Sequence, residues 1–208
     1  IGGPGYDENK NVRTILSGKL IHNTGLLVRE DSGITSLDQL KGKKVAVDYG
    51  TNAVLTALTD LGLESVGLTM DDIVPVPVPT LNDGLAAIQN GSVDASMGGG
   101  PTTPNTMEVD TAVGLRLLPF GNLKPEDIAN GVPEDVQALI DKWVPGSTVD
   151  VHPAGVGIAD EEIVLIAYPS VMASSTNTSE DVVYTVTKAT WENYEEMHAV
   201  HPWWDGWT

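Results

Sequence analysis

The feature that most constrains this chain is an alternation of short apolar strands and helical segments over residues 43–100. Lys43-Lys44-Val45-Ala46-Val47-Asp48 reads as a strand entered through Gly42. From Asn52 to Leu61, Val54, Ala57, Leu58 and Leu61 recur at helical spacing, and Gly62 is placed to stop that helix. Ile73–Val78 is extended, and its two prolines suit an edge strand. A second helix runs from Asn82 to Ile88, with Leu81, Leu85 and Ile88 on one face, and Asn90-Gly91 closes it. Val93–Met97 is the next strand, ending in Gly98-Gly99-Gly100-Pro101. Strand, helix, strand, helix, strand in this order predicts a parallel sheet covered by helices, and so an α/β fold.

Around this core the pattern is thinner. Gly25–Arg29 and Leu115–Leu118 read as short strands, Pro133–Trp143 as a helix, and Ile163–Tyr168 as a strongly apolar strand that Ser170–Ala173 can extend. Ser36 caps a helical turn over Leu37–Leu40. A last helix begins near Ser179 and fades into a tryptophan-rich tail, His201–Trp207, that reads as a segment packing back over the body. The opening to about Asn11 is glycine-rich and irregular.

Charge excludes whole classes of function. Of 208 residues, 29 are acidic and 11 are Lys or Arg, a formal net charge of −18 spread along the chain. Nucleic acid and anionic lipid both require a basic surface, so neither is an expected partner. A spread acidic surface favours solubility, often in a salty medium. The chain has no cysteine, which removes disulfides, thiolate metal sites and cysteine nucleophiles. No apolar run approaches the roughly 18–20 residues of a membrane span. The first residues, IGGPGYDENKN, lack the basic start and apolar core of an export signal.

In open α/β sheets ligands collect beyond the carboxyl ends of the strands. Two loops lie there. Tyr49, Gly50, Thr51 and Asn52 link a strand to a helix start, where free amides suit an anion such as a carboxylate. Gly98, Gly99 and Gly100, followed by Pro101 and the hydroxyl of Thr102, allow backbone to approach a ligand closely. Lys19 and His22 are the cationic candidates from an earlier crossover. Catalytic signals are poor. Neither loop ends in the Lys-Ser/Thr of a phosphate loop, and His198 and His201, with Glu195, do not match the two-His zinc motif. No nucleophile, base and oxyanion donor assemble, and no cofactor or metal is expected.

Three stretches resemble TAXI-type extracytoplasmic receptors of TRAP transporters. Leu27–Ile34 followed by Ser36–Val47 is similar to that family's V-R-x-D-S-G-I-x-S-L-x-D-L-K-G-K-x-V. Ala86–Ala95 with Gly99-Gly100-Pro101 is similar to A-L-x-x-G-x-I-D-A and the G-G-x-P that follows it. Val182–Asn193 with His201-Pro202 is similar to L-V-Y-x-I-T-K-A-x-x-E-N and a later H-P. One departure concerns the ligand loop: the family's G-x-G-S-G-T stands here as Asp48-Tyr49-Gly50-Thr51-Asn52-Ala53.

The resemblance implies a type II periplasmic-binding-protein-like fold, with two lobes of mixed, mostly parallel sheets. Residues 1–42 and 150–208 would form lobe one, residues 43–118 lobe two, and 119–149 the connection, with hinges near Gly42 and within 118–160. It implies a first lobe that is incomplete, its N-terminal part missing. It also implies a periplasmic or otherwise extracytoplasmic receptor, with its export signal absent from this chain. Such a receptor captures a small organic acid or amino acid by lobe closure and delivers it to TRAP membrane subunits without catalysis. A transferase- or dehydratase-type enzyme on the same scaffold is the alternative, and an interaction module a third reading.

Overall fold

The computed structural model describes residues 9–50 and 52–200, with the side chains of all of these except 18–21. The opening eight residues, Thr51 and the His201–Trp207 tail therefore lie outside the described residues. The chain divides into two compact units, one of residues 23–167 and one of residues 1–22 with 168–208.

The larger unit is built on a five-stranded sheet. Its strands are β2 (Leu26–Arg29), β3 (Lys44–Val47), β4 (Val74–Pro77), β5 (Ala95–Met97) and β6 (Leu115–Leu117), in the order β4-β3-β5-β2-β6. β3 runs parallel to β4 and β5, as the strand–helix alternation requires, whereas β2 is antiparallel to β5 and β6. Leu27, Val28, Val45, Ala46 and Ala95 are fully buried, because these central strands are covered on both faces. The sheet also explains the unit boundary. Sequence reading separated residues 1–42 from 43–118, but β2 sits between β5 and β6, so residues 23–42 belong with the strands that follow them. The second division falls after Ala167, within a strand, rather than at residue 150.

β4 is the edge strand its prolines predicted. The amides of Val74 and Val78 donate to Lys43 O at 2.8 Å and Val47 O at 2.9 Å. Successive residues face opposite sides of a strand, so Pro75 and Pro77 turn their missing donors to the free edge, where no partner needs them.

The helices α1 (Ala53–Glu64), α2 (Leu81–Gln89) and α3 (Pro104–Val113) follow β3, β4 and β5 directly. α1 runs past the expected stop: Gly62 lies inside it, buried, where an added Cβ would stand 3.4 Å from Leu26 Cδ1. That glycine is a packing gap against β2 rather than a terminator. α3 was not expected, since only Thr106 and Val109 of its ten residues are buried and no apolar stripe marks it. Its signals are local: Pro104 in the first turn and Gly114 at the end. After a single turn, α4 (Pro125–Ile128), α5 (Glu134–Trp143) packs on α1. β7 (Thr148–His152) then pairs antiparallel with the first five residues of β8 (Ile163–Ser175).

The smaller unit holds most of β1 (Val12–Thr24), the distal part of β8, α6 (Glu180–Glu192) and α7 (Tyr194–Val200). Within this unit β1 neighbours β8, and Thr176 N donates to Asn11 O at 2.8 Å. No residue of α6 or α7 is buried, and Val182, Tyr184 and Trp191 stand exposed. Among the described residues, no helix is long and apolar enough to cross a membrane.

Candidate functional site at the carboxyl ends of the parallel strands

Three helices begin where three neighbouring parallel strands end, and the loops that make these turns touch one another. The turn after β3 needs a left-handed backbone at two points, Asp48 with φ 53° and Gly50 with φ 59°. Gly50 abuts the turn after β4: an added Cβ would stand 2.5 Å from Pro79 O. The turn after β5 abuts the start of α2, with Gly99 against Leu81 Cδ2 at 3.4 Å for an added Cβ. Asn105 Nδ2, in the first turn of α3, donates to Asn82 Oδ1, in the first turn of α2, at 2.7 Å.

Two of the three helix starts carry a side-chain cap. Asn52 Oδ1 accepts from Leu55 N at 3.4 Å, and Thr80 Oγ1 from Asp83 N at 3.2 Å. At α3, Thr103 supplies no cap, and its hydroxyl donates to Gly100 O at 3.0 Å or Thr106 Oγ1 at 2.8 Å. One side-chain cap satisfies one of the four amides left over at a helix start, so the remaining amides and the aligned helix dipoles give this edge a positive potential. No Lys, Arg or His occurs between Lys44 and Arg116 in the sequence, so no cationic side chain from these turns adds to that potential. Asp48, exposed at the end of β3, adds a carboxylate beside it. The arrangement suits a small anionic group that also carries, or tolerates, a cationic neighbour.

The sequence-derived candidates separate on inspection. Gly50 and Asn52 are exposed at this edge, as is Thr102. Tyr49 points the other way and is 1% exposed. Its hydroxyl donates to Ala46 O at 3.0 Å, accepts from Met97 N at 2.8 Å and meets Ser96 Oγ at 3.2 Å, bracing β3 to β5. Burial raises its pKa, so it stays a neutral phenol. Of the residue's groups, only the backbone remains available to a ligand.

Gly98 and Gly100 are buried, and packing within the chain accounts for both. A Cβ on Gly98 would overlap Leu27 Cδ1, and one on Gly100, at φ 112°, would stand 2.7 Å from Asn23 O. Asn23 is itself held by His152, Nδ2 to Nδ1 at 3.2 Å, while His152 Nε2 meets Val156 O at 3.0 Å. Ile158 N donates to Pro101 O at 3.1 Å, covering the same loop. The close backbone approach that three glycines announce is here made to the protein's own chain.

Thr51 and the Lys19 side chain lie outside the described residues. His22 belongs to the smaller unit, half-buried with its ring 5.4 Å from that of Tyr168. Burial lowers its pKa, which leaves a neutral imidazole at pH 7 rather than a cation. Sequence reading overlooked Thr80, Asn82 and Asn105. The signal for the first was the spacing Thr80-x-x-Asp83, a helix-start pattern ahead of the apolar face of α2. Among the described residues, no group of three or more His, Cys, Asp and Glu is arranged to hold a metal ion.

Solved structures share this fold. The aliphatic sulphonate binding protein SsuA of Escherichia coli matches 88% of this chain at 19% identity, with a TM-score of 0.45. A histidine kinase sensor domain similar to periplasmic binding proteins matches 94% at 14% identity, and a periplasmic transporter 91% at 19%, each with a TM-score of 0.50. The chain spans 68%, 63% and 56% of these three, and 42% of an SsuA from Methylobacillus flagellatus. On the two matches with a TM-score of 0.50, the architecture is the α/β, mixed-sheet fold of periplasmic binding proteins. The profile of the NMT1-like family covers residues 4–206, and the chain belongs to that family.

Proposed function

We propose that this chain is part of an extracytoplasmic solute receptor that captures a small organic acid or amino acid and passes it to a membrane transporter. One observation carries the reading: three helix starts, two of them side-chain capped, meet at the carboxyl ends of β4, β3 and β5, and residues 45–115 that build them hold no Lys, Arg or His. Such an edge binds a carboxylate through backbone amides. Asp48 beside it favours amino acids over simple acids, because a bare anion meets its charge while an ammonium group is attracted to it. Membership of the NMT1-like family and the shared fold support the receptor class. The ligand contacts would come from the amides around Gly50, Asn52 and Gly99 and from the side chains of Thr80, Asn82, Thr102 and Asn105.

The transporter would be of the TRAP type, on the strength of the sequence resemblance. Crosslinking in the native cell distinguishes TRAP subunits from those of an ATP-driven importer, and recovery of the latter alone sinks this assignment.

The receptor reading is tested by calorimetry on the full-length protein with a panel of amino acids, carboxylates and sulfonates. A ligand that binds only the folded state raises the melting temperature as its concentration passes Kd. We expect one saturable class, weakened at least tenfold by a combined Thr80→Ala and Asn82→Ala change. Absence of any saturable binder across the panel refutes the reading.

A further inference from the structure

A further cavity lies within the larger unit, beside β6 rather than at the helix starts, with Ile158 of its wall adjoining the turn after β5. Its volume is about 380 Å³, within the range typical of small-molecule pockets. Leu117, Pro119, Leu123 and Ile158 supply apolar wall. Arg116 and Lys124 line it, with the carboxylates of Glu30, Glu126, Asp160, Glu161 and Glu162.

Arg116 is the unusual member. Its Nε is buried and has no hydrogen-bond partner among the described residues. Its Nη2 stands 3.9 Å from Glu30 Oε1, an ion pair too long to be a hydrogen bond. Buried donors are almost always paired, so an orphan at a cavity wall calls for an acceptor that is not part of the chain. Nε and a neighbouring Nη form the guanidinium edge that grips a carboxylate by two parallel bonds. The side chain is 39% exposed and lines the cavity, so a ligand held by that edge requires the buried Nε to turn toward it. A plain anion fits poorly, because five carboxylates outnumber two cations around the space. A ligand carrying both charges satisfies the two sets together.

We infer that the cavity beside β6 binds a small zwitterion, with its carboxylate on Arg116 and its cationic nitrogen toward the acidic wall formed by Glu126 and Asp160–Glu162. This site is independent of the strand-end reading and stands or falls separately.

The test uses 4-aminobutanoate, with butanoate and butylamine as single-charge controls, followed by NMR of the protein's methyl and amide groups. The expected result is a saturable shift of the Leu117, Leu123 and Ile163 methyls by the zwitterion, with each control at least tenfold weaker. Arg116→Met should remove that response and leave the amide shifts of a strand-end ligand at Ala53 and Asn82 intact. Should Arg116→Met fail to fold, Asp160→Asn combined with Glu161→Gln should weaken the zwitterion several-fold while leaving butanoate no weaker. Overturning results are an absent methyl response up to 50 mM, equal binding of butanoate and 4-aminobutanoate, or an unchanged response in the variants. Shifts at Ala53 and Asn82 alone would support the strand-end reading and refute this one.

Discussion

Single residues carry the turn after β3. Gly50 is required twice over, by its left-handed backbone and by Pro79 O at 2.5 Å from where a Cβ would stand. Gly91 has a similar φ of 76° but nothing within 4 Å of an added Cβ. Gly91→Ala should therefore cost only the left-handed penalty, about 1–2 kcal/mol. Gly50→Ala should cost clearly more, and denaturant melts of the two variants read the difference. Tyr49→Phe probes the opposite side of the same turn. It leaves the buried Met97 amide without its 2.8 Å acceptor, so a loss of about 1–3 kcal/mol is expected by the same melts. If Tyr49 met ligand through its hydroxyl, ligand affinity would fall instead, with stability little changed.

Helix contacts add a second level. Glu64 near the end of α1 accepts from Lys142 Nζ at 2.6 and 2.8 Å and from Trp143 Nε1 at 2.6 Å, tying α1 to α5. Hydrogen bonds from these two hold its pKa below the ordinary glutamate value. The sign follows from that lowering. Stability from the clamp is present above the ordinary value, about 4.3, and is lost as pH falls through the lowered one. Both charged partners are largely exposed, at 54% and 37%, so most of the energy lies in the indole bond rather than the ion pair. Glu64→Ala should cost about 1–2 kcal/mol and flatten the acid limb of the stability curve, with the Trp143 indole N–H resonance moving.

How well each element was legible follows its periodicity. α2 was plain because Leu85 and Ile88 form one buried stripe, and β4 because two prolines confine it to an edge. α3 buries too little to leave a stripe, and Gly62 reads as a stop because a glycine that ends a helix and one that admits a neighbouring strand look alike.

At the scale of the molecule, charge dominates. A net charge of −18 on 208 residues makes the folded state repel itself. Screening shortens that repulsion to about 10 Å at 0.1 M salt and about 3 Å at 1 M. The melting temperature should therefore rise steadily with sodium chloride from low salt to 1 M. A flat or falling dependence would mean that attractive pairs such as Lys41–Asp72 offset the repulsion. Residues 45–115 hold no Lys, Arg or His, so the proposed anion site at the strand ends would draw on the helix starts and on no cation from its own turns.

By itself, the sequence determined the fold class, the parallel heart of the sheet and the strongly acidic charge balance. Each of these follows from local apolar spacing and summed charge, which need no knowledge of distant partners. Tertiary structure alone decided that β2 joins the sheet between β5 and β6, and so where the compact units divide. It also decided that the Tyr49 hydroxyl and Gly100 answer to the protein's own packing. Both depend on which backbone arrives from far along the chain. In a close-packed interior, that arrival determines whether a glycine makes room for a ligand or for a neighbouring strand.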